Sequence, residues 1–171
     1  MWENFTNAFY LNFISEDRWR YITDGLQTTL IITCFACLMG IVLGFIVGMI
    51  RSTHDKTGKL KFLNVICQIY LTVIRGTPVV VQLLIIYFVV FGSARIDKVI
   101  VAIMAFGINS GAYVAEIFRS GIMSIDPGQM EAGRSLGFNY FQTMRYIILP
   151  QAMSTSVPAF VANVIFLLKE T

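Results

Sequence analysis

The sequence predicts an all-α membrane protein, and three observations carry that expectation. Hydrophobic residues make up 56% of the 171 positions and charged residues only 13%, where soluble domains carry roughly a quarter. Apolar runs long enough to cross a bilayer recur along the chain. Between the last two of them lies a polar stretch, residues 126–150, with two helix-start signatures and too little apolar length to span.

The amino-terminal twenty residues, MWENFTNAFYLNFISEDRWR, lack the basic start of a secretory signal. The first apolar run is therefore expected to stay as an uncleaved anchor. From Gly25 to Ile50 no charge occurs; at ~1.5 Å per residue the run exceeds the ~30 Å of a bilayer core, and the span is placed at about residues 22–51. Ala36, Gly40, Gly44 and Gly48 recur every fourth residue in it. Small side chains on one face allow close helix approach, which is what holds helices together in lipid. The pattern does not say whether the partner is internal. Cys34 and Cys37 have C-x-x-C spacing, but no second pair or paired histidines accompany them, so helix packing is expected of both.

The following RSTHDKTGKLK loop carries Arg51, Lys56, Lys59 and Lys61 against Asp55, which assigns it to the cytoplasmic side. Its TGKL is not a phosphate loop: Thr53 stands where the leading glycine belongs and Leu60 where Ser or Thr follows the lysine. Residues 62–92 form a second apolar stretch, interrupted by Arg75-Gly76-Thr77-Pro78. A third span covers about residues 98–119, and a weaker one runs from 156 to 169 onward. Alternation then places the amino terminus, with Glu3, Glu16, Asp17 and Asp24, outside, the GSARIDK turn outside, and residues 126–150 in the cytoplasm.

Within that segment, Asp126 is an N-cap carboxylate followed by Pro127 at N1 and Gln129 at N3. Gly137 fits the left-handed stop of this helix. Asn139 and Gln142 repeat the capping pattern for a second helix, expected to end before Pro150. Two capped helices meeting at a glycine make a stiff elbow. A surface-lying amphipathic helix is the alternative, but Arg134 and Arg145 are offset by Glu131 and Asp126, too little net positive charge for that role.

Glu131-Ala132-Gly133, three residues, Gly137, nine residues, then Ile147-x-Leu149-Pro150 resembles the EAA loop of ABC importer permeases, with Gly133 in place of the usual second alanine. RGTPVVVQLLIIYF and NSGAYVAEIFRSGIMSIDPGQMEAGRSLG are similar to the polar amino acid branch, which takes up histidine, arginine, glutamine or glutamate. The likeness runs from Gly25 to Thr171. It implies a type I permease bundle in a bacterial cell membrane, with this chain as a single domain whose final helix is missing at the carboxy terminus. It further implies a separate ATPase subunit holding ATP and Mg, with no cofactor on this chain. A second permease subunit, identical or homologous, and an extracytoplasmic amino-acid-binding protein complete the expected assembly in membrane lipid, without nucleic acid. Gln129, Glu131, Ala132, Gly133, Ser135, Leu136 and Gly137 become the expected ATPase-coupling residues. A membrane scaffold whose elbow binds a regulator and moves no solute is the rival reading.

A solute path is expected where polar groups enter the bilayer. Measured along a straight helix, Arg75 falls near mid-membrane, where a charge costs at least ~2.5 kcal/mol and marks a pathway or a partner. Gly76, Thr77 and Pro78 break the helix there, as transporters do at binding sites. Arg75 is read either as a contact for a substrate carboxylate or as an internal salt bridge or cap. Asn109, Tyr113, Glu116 and Ser120 share one helical face; Asn109 is assigned to the path, while Glu116 either attracts an amino group or pairs with Arg119. Gln82 is a further path candidate, and Gln68 a further polar group. The single histidine, His54, and the lack of any nucleophile or metal motif predict no catalysis by this chain.

Overall fold

The computed structural model describes residues 2–94 and 96–171, with backbone alone for residues 3–5; the Glu3 side chain and Arg95 of the 92–98 turn lie outside the described residues. Among the described residues the regular elements are all helical: α1 Trp2–Phe9, α2 Trp19–Thr57, α3 Lys61–Gly76, α4 Val79–Ile85, α5 Lys98–Met123, α6 Pro127–Ser135, α7 Tyr140–Thr143 and α8 Leu149–Glu170. Wider π turns continue α1 (Tyr10–Ile14) and α4 (Ile86–Val90), and a third, Met144–Ile148, joins α7 to α8. Three helices are long and apolar enough to cross a membrane: Trp19–Thr57, Lys98–Met123 and Tyr140–Glu170. The pair Lys61–Gly76 and Val79–Val90, bent by 108°, makes a fourth when counted as one span.

The small-residue ladder finds its partner inside the chain. Ala36, Gly40, Gly44 and Gly48 are all buried. Gly40 faces Ser110 and Gly111, Gly44 faces Val114 and Ala115, and Gly48 faces Ala115 and Phe118. Residue numbers rise together on the two helices, so α2 and α5 run parallel. A Cβ at Gly44 would stand 2.8 Å from the Ala115 backbone nitrogen, so the approach is backbone to backbone and only glycine permits it. Parallel neighbours require the intervening chain to travel back, and the bent 61–90 pair makes that return. α8 lies antiparallel on α5: Ala152 and Ser156 meet Gly121, and Asn163 donates to Ser110 Oγ at 3.2 Å.

Two local expectations change. The basic 51–61 stretch is not a loop for most of its length, because α2 continues to Thr57 and stops at Gly58 in the left-handed region (φ 68°). Likewise the second elbow helix does not end before Pro150. The π turn at 144–148 shifts the ladder, the Leu149 N–H bonds to the Met144 carbonyl, and Pro150 sits in the first turn of α8. A proline is tolerated there, since its missing N–H falls beside an already widened turn. Of the two cysteines assigned to packing, Cys37 packs beside Ala36, Phe106 and Leu167, whereas Cys34 faces outward.

The elbow closes under the bundle. The Asp126 carboxylate accepts from the Gly128 N–H at 2.6 Å, and Asn139 and Gln142 form a reciprocal capping box with both bonds at 2.9 Å. Gly137 adopts φ 85°, and the Phe138 N–H returns to the Gly133 carbonyl, the 6→1 bond of a Schellman stop. Ile122, Met144, Ile148 and Ala152 form the buried cluster that welds this elbow to α5 and α8.

Candidate functional site

The break between α3 and α4 is built by replacing what proline removes. Pro78 has no N–H to give the Ile74 carbonyl. The Gln82 amide, one turn on, donates to that carbonyl at 2.6 Å and to the Thr77 carbonyl and hydroxyl at 3.0 and 2.8 Å. The Thr77 hydroxyl in turn donates to the Val73 carbonyl. Asn109 of α5 donates its amide to Gln82 Oε1 at 3.0 Å. Gln82 and Asn109 are 7% and 4% exposed, so these two expected path residues face each other in the interior and pin the break against α5.

Arg75, at the end of α3, points the other way. Its guanidinium lies 5.7 Å from the centre of the Tyr113 ring and 3.7 Å from Glu116 Oε2. It borders two clefts. One, of about 450 Å³, is lined by Arg75, Tyr113, Glu116, Ser120, Asn163 and Phe166. The other, of about 510 Å³, includes Arg51, Gln68, Thr72 and Gly76. The 108° bend beyond Gly76 means that α3 and α4 cannot both stand along the bilayer normal, so the straight-span measure of Arg75's depth does not apply. The Arg75 head meets Glu116, two-thirds of the way along α5 from Lys98.

Glu116 is the hub of a charge cluster. Its Oε1 accepts from Arg119 Nη2 at 2.6 Å and Nε at 3.1 Å, while Oε2 faces Arg51 Nη1 at 3.4 Å as well as Arg75. Arg119 also reaches Asp55 at 3.1 Å. Both readings of Glu116 and Arg75 as internal partners are thus realised, yet the cluster is unbalanced: three guanidiniums face two carboxylates. The Arg75 side chain is the most open member at 43% exposure. A half-solvated guanidinium beside an aromatic face is suited to take a carboxylate in fork geometry.

Sequence reasoning missed Arg51, Asp55, Asn163 and Phe166. Arg51 and Asp55 sit one turn apart at the end of α2, and the signal available was the small-residue ladder, which continues past Gly48 to the buried Ser52. Asn163 and Phe166 carried none, because their place in the cleft depends on the antiparallel register of α8 on α5.

In the elbow, Gln129, Glu131, Ala132, Ser135 and Leu136 are exposed, and the Ser135 hydroxyl donates to the Glu131 carbonyl at 3.0 Å. Gly133 differs: it is buried against Thr143 and Ile147. Leu136 is 74% and Phe141 81% exposed on the outer side, an apolar surface at the turn between α6 and α7.

Residues 40–171 match the model of the family described as binding-protein-dependent transport system inner membrane component. The chain is 37% identical over 153 residues to the glutamine transport system permease protein GlnP of Escherichia coli (strain K12), covering 88% of this chain and 68% of that protein. It is 38% identical, with the same coverage, to the arginine transport system permease protein ArtQ of Bacillus subtilis (strain 168). Among solved structures, an amino acid ABC transporter crystallised with histidines aligns at 40% identity with a TM-score of 0.76, over 86% of this chain and 67% of that one. The inward-facing MetNI methionine ABC transporter shares the fold, with a TM-score of 0.78 at 22% identity, over 92% of this chain and 74% of that one.

Proposed function

We infer the function from one premise: the chain belongs to the binding-protein-dependent transport inner membrane component family and is a multi-pass permease subunit of an amino acid ABC uptake transporter, not a catalytic subunit. From that premise we propose that it passes polar amino acids along the cleft beside Arg75, as one of two permease subunits in a type I importer. Residues 1–171 all belong to one permease domain, with the amino-terminal segment outside and residues 126–150 in the cytoplasm. A separate ATPase, carrying ATP and Mg, grips the exposed face of α6 and the turn at Gly137. An extracytoplasmic binding protein delivers the solute.

The observation that carries the substrate reading is the Arg75 guanidinium, half-solvated at a helix break and shared between two clefts. A free amino acid always presents a carboxylate, and a fork-shaped donor set is its natural partner. Tyr113 provides the wall against which the guanidinium is held, and Glu116 orients it without neutralising the cluster. The named relatives that carry glutamine and arginine, and the transporter crystallised with histidines, are consistent with a polar cargo.

The experiment is uptake of labelled amino acids into vesicles holding the full transporter. Arg75→Gln should lower uptake at least ~10-fold, as loss of a charge-assisted contact worth ~1.4 kcal/mol or more requires, while the variant complex still hydrolyses ATP. Uptake unchanged in Arg75→Gln would remove Arg75 from the path.

A further inference from the structure

We infer that residues 2–14 lie flat on the membrane as an interfacial helix, with the lipid headgroup–acyl boundary of the outer leaflet as their partner; the choice of leaflet rests on the proposed orientation. The segment is helical throughout, as α1 and then the π turn Tyr10–Ile14. Of its described side chains, Trp2 is 82% exposed, and Phe9, Tyr10, Leu11, Phe13 and Ile14 are exposed as well. Trp2, Phe9 and Phe13 recur at i, i+7 and i+11 and so share a face, with the Phe9 and Phe13 rings stacked at 4.9 Å. Asn7 and Asn12 interrupt the apolar sequence.

Three features select lipid as the occupant. The segment is shorter than the ~17 residues a spanning helix needs, and it is not a continuation of α2. The backbone turns between them at Glu16 and Asp17, both in the left-handed region at φ 59° and 55°. Beyond the turn, the first turn of α2 carries the exposed Trp19 and Tyr21, residues typical of a membrane interface. Charge is also partitioned. Residues 2–14 contain one charged residue, Glu3, whereas Glu16, Asp17, Arg18 and Arg20 cluster at the turn, where headgroups and water solvate them. Where the polar 126–150 elbow would need net positive charge to hold a membrane surface, the apolar residues that dominate 2–14 (Trp2, Phe9, Tyr10, Leu11, Phe13 and Ile14) hold by buried area instead.

The chain contains two tryptophans, Trp2 and Trp19, which makes each a specific reporter. The full chain as Trp19→Phe is reconstituted in phosphatidylethanolamine–phosphatidylglycerol vesicles, and Trp2 depth is read with lipids spin-labelled at the headgroup and along the acyl chain. Trp2 should lie ~5–10 Å into the boundary and be shielded from aqueous iodide. The depth should be unchanged in neutral phosphatidylcholine. Phe9→Ser with Phe13→Ser should move Trp2 toward water and abolish its lipid quenching. Trp2 open to iodide and untouched by lipid labels overturns the inference, as does quenching by neither, which would mean a protein surface covers it. Trp19, read in a Trp2→Phe chain, keeps the two ideas apart: Trp19 in the interface with Trp2 in water defeats the flat helix and leaves the spanning topology standing.

Discussion

At position 78 a ring replaces the N–H that the Ile74 carbonyl needs, and the Gln82 amide supplies the missing donor at 2.6 Å. Removing it leaves a buried carbonyl unsatisfied, at about 1–3 kcal/mol. Gln82→Leu is expected to lose that much in thermal unfolding in detergent, and Gln82→Glu at least as much, since a carboxylate brings no donor to Ile74 and faces two backbone carbonyls. The polar residue types at 82 and 109 were legible as unusual in an apolar run. Their mutual contact was not, because it depends on where a bent helix meets a distant one. Gly133 teaches a related lesson. The family signature places alanine there, and the sequence alone makes the change look neutral. Here a Cβ would meet Thr143 Cγ2 at 2.5 Å and Oγ1 at 2.9 Å, inside a fully buried contact. Gly133→Ala should therefore cost about 1–3 kcal/mol from overpacking. Adding Thr143→Ala should recover part of it, a coupling that a double-mutant cycle measures.

Among the elements, capping chemistry was the most readable information. Asn139 and Gln142 form the capping box their spacing predicts, whereas at the first helix only the Asp126 half forms, on the Gly128 N–H, and Gln129 accepts from Gln151 at 3.5 Å instead of reaching back. Gly137 at φ 85° also donates its N–H to the Arg134 carbonyl. Proline at this position cannot adopt that angle and has no donor, so Gly137→Pro should uncouple ATP hydrolysis from uptake while the chain still inserts, as assayed in vesicles with the ATPase subunit. Transport at the normal rate in that variant would refute a coupling role for the elbow. The end of α2 and the passage through Pro150 were misread for a common reason. Charge and proline argue for helix ends locally, but Asp55 and Arg51 are held by Arg119 and Glu116, and a π turn accommodates the proline. The parallel contact of α2 and α5 gives a further test: Gly44→Ala should destabilise the chain by about 1–3 kcal/mol, whereas Gly25→Ala, with nothing within 4 Å of its Cβ position, should not.

For the whole molecule, composition and run length announced the class, and the ladder of small residues announced a close helix contact. The identity of the contacting helix was hidden, because a stripe of glycines records tolerance for approach and not the partner. Arg51, Lys56, Lys59 and Lys61 favour a cytoplasmic face for residues 51–61, and labelling from either side tests it. In a cysteine-free background, Lys59→Cys should react with an impermeant maleimide only in inverted vesicles, and Ser93→Cys only from the opposite face. The reverse pattern would invert the topology. One feature of the fold has a mechanical meaning at this scale. Tyr140–Glu170 is a single helical rod, with the elbow capping box at one end and Asn163 and Phe166 of the cleft near the other. The separation is ~35 Å at 1.5 Å per residue. The π turn at 144–148 and the interior Pro158 lie along it without ending the helix, and a tilt of ~5° imposed at Tyr140 and carried through them sweeps the cleft wall by ~3 Å over that lever arm. A nudge at the elbow thus arrives at the cleft as a change in bore.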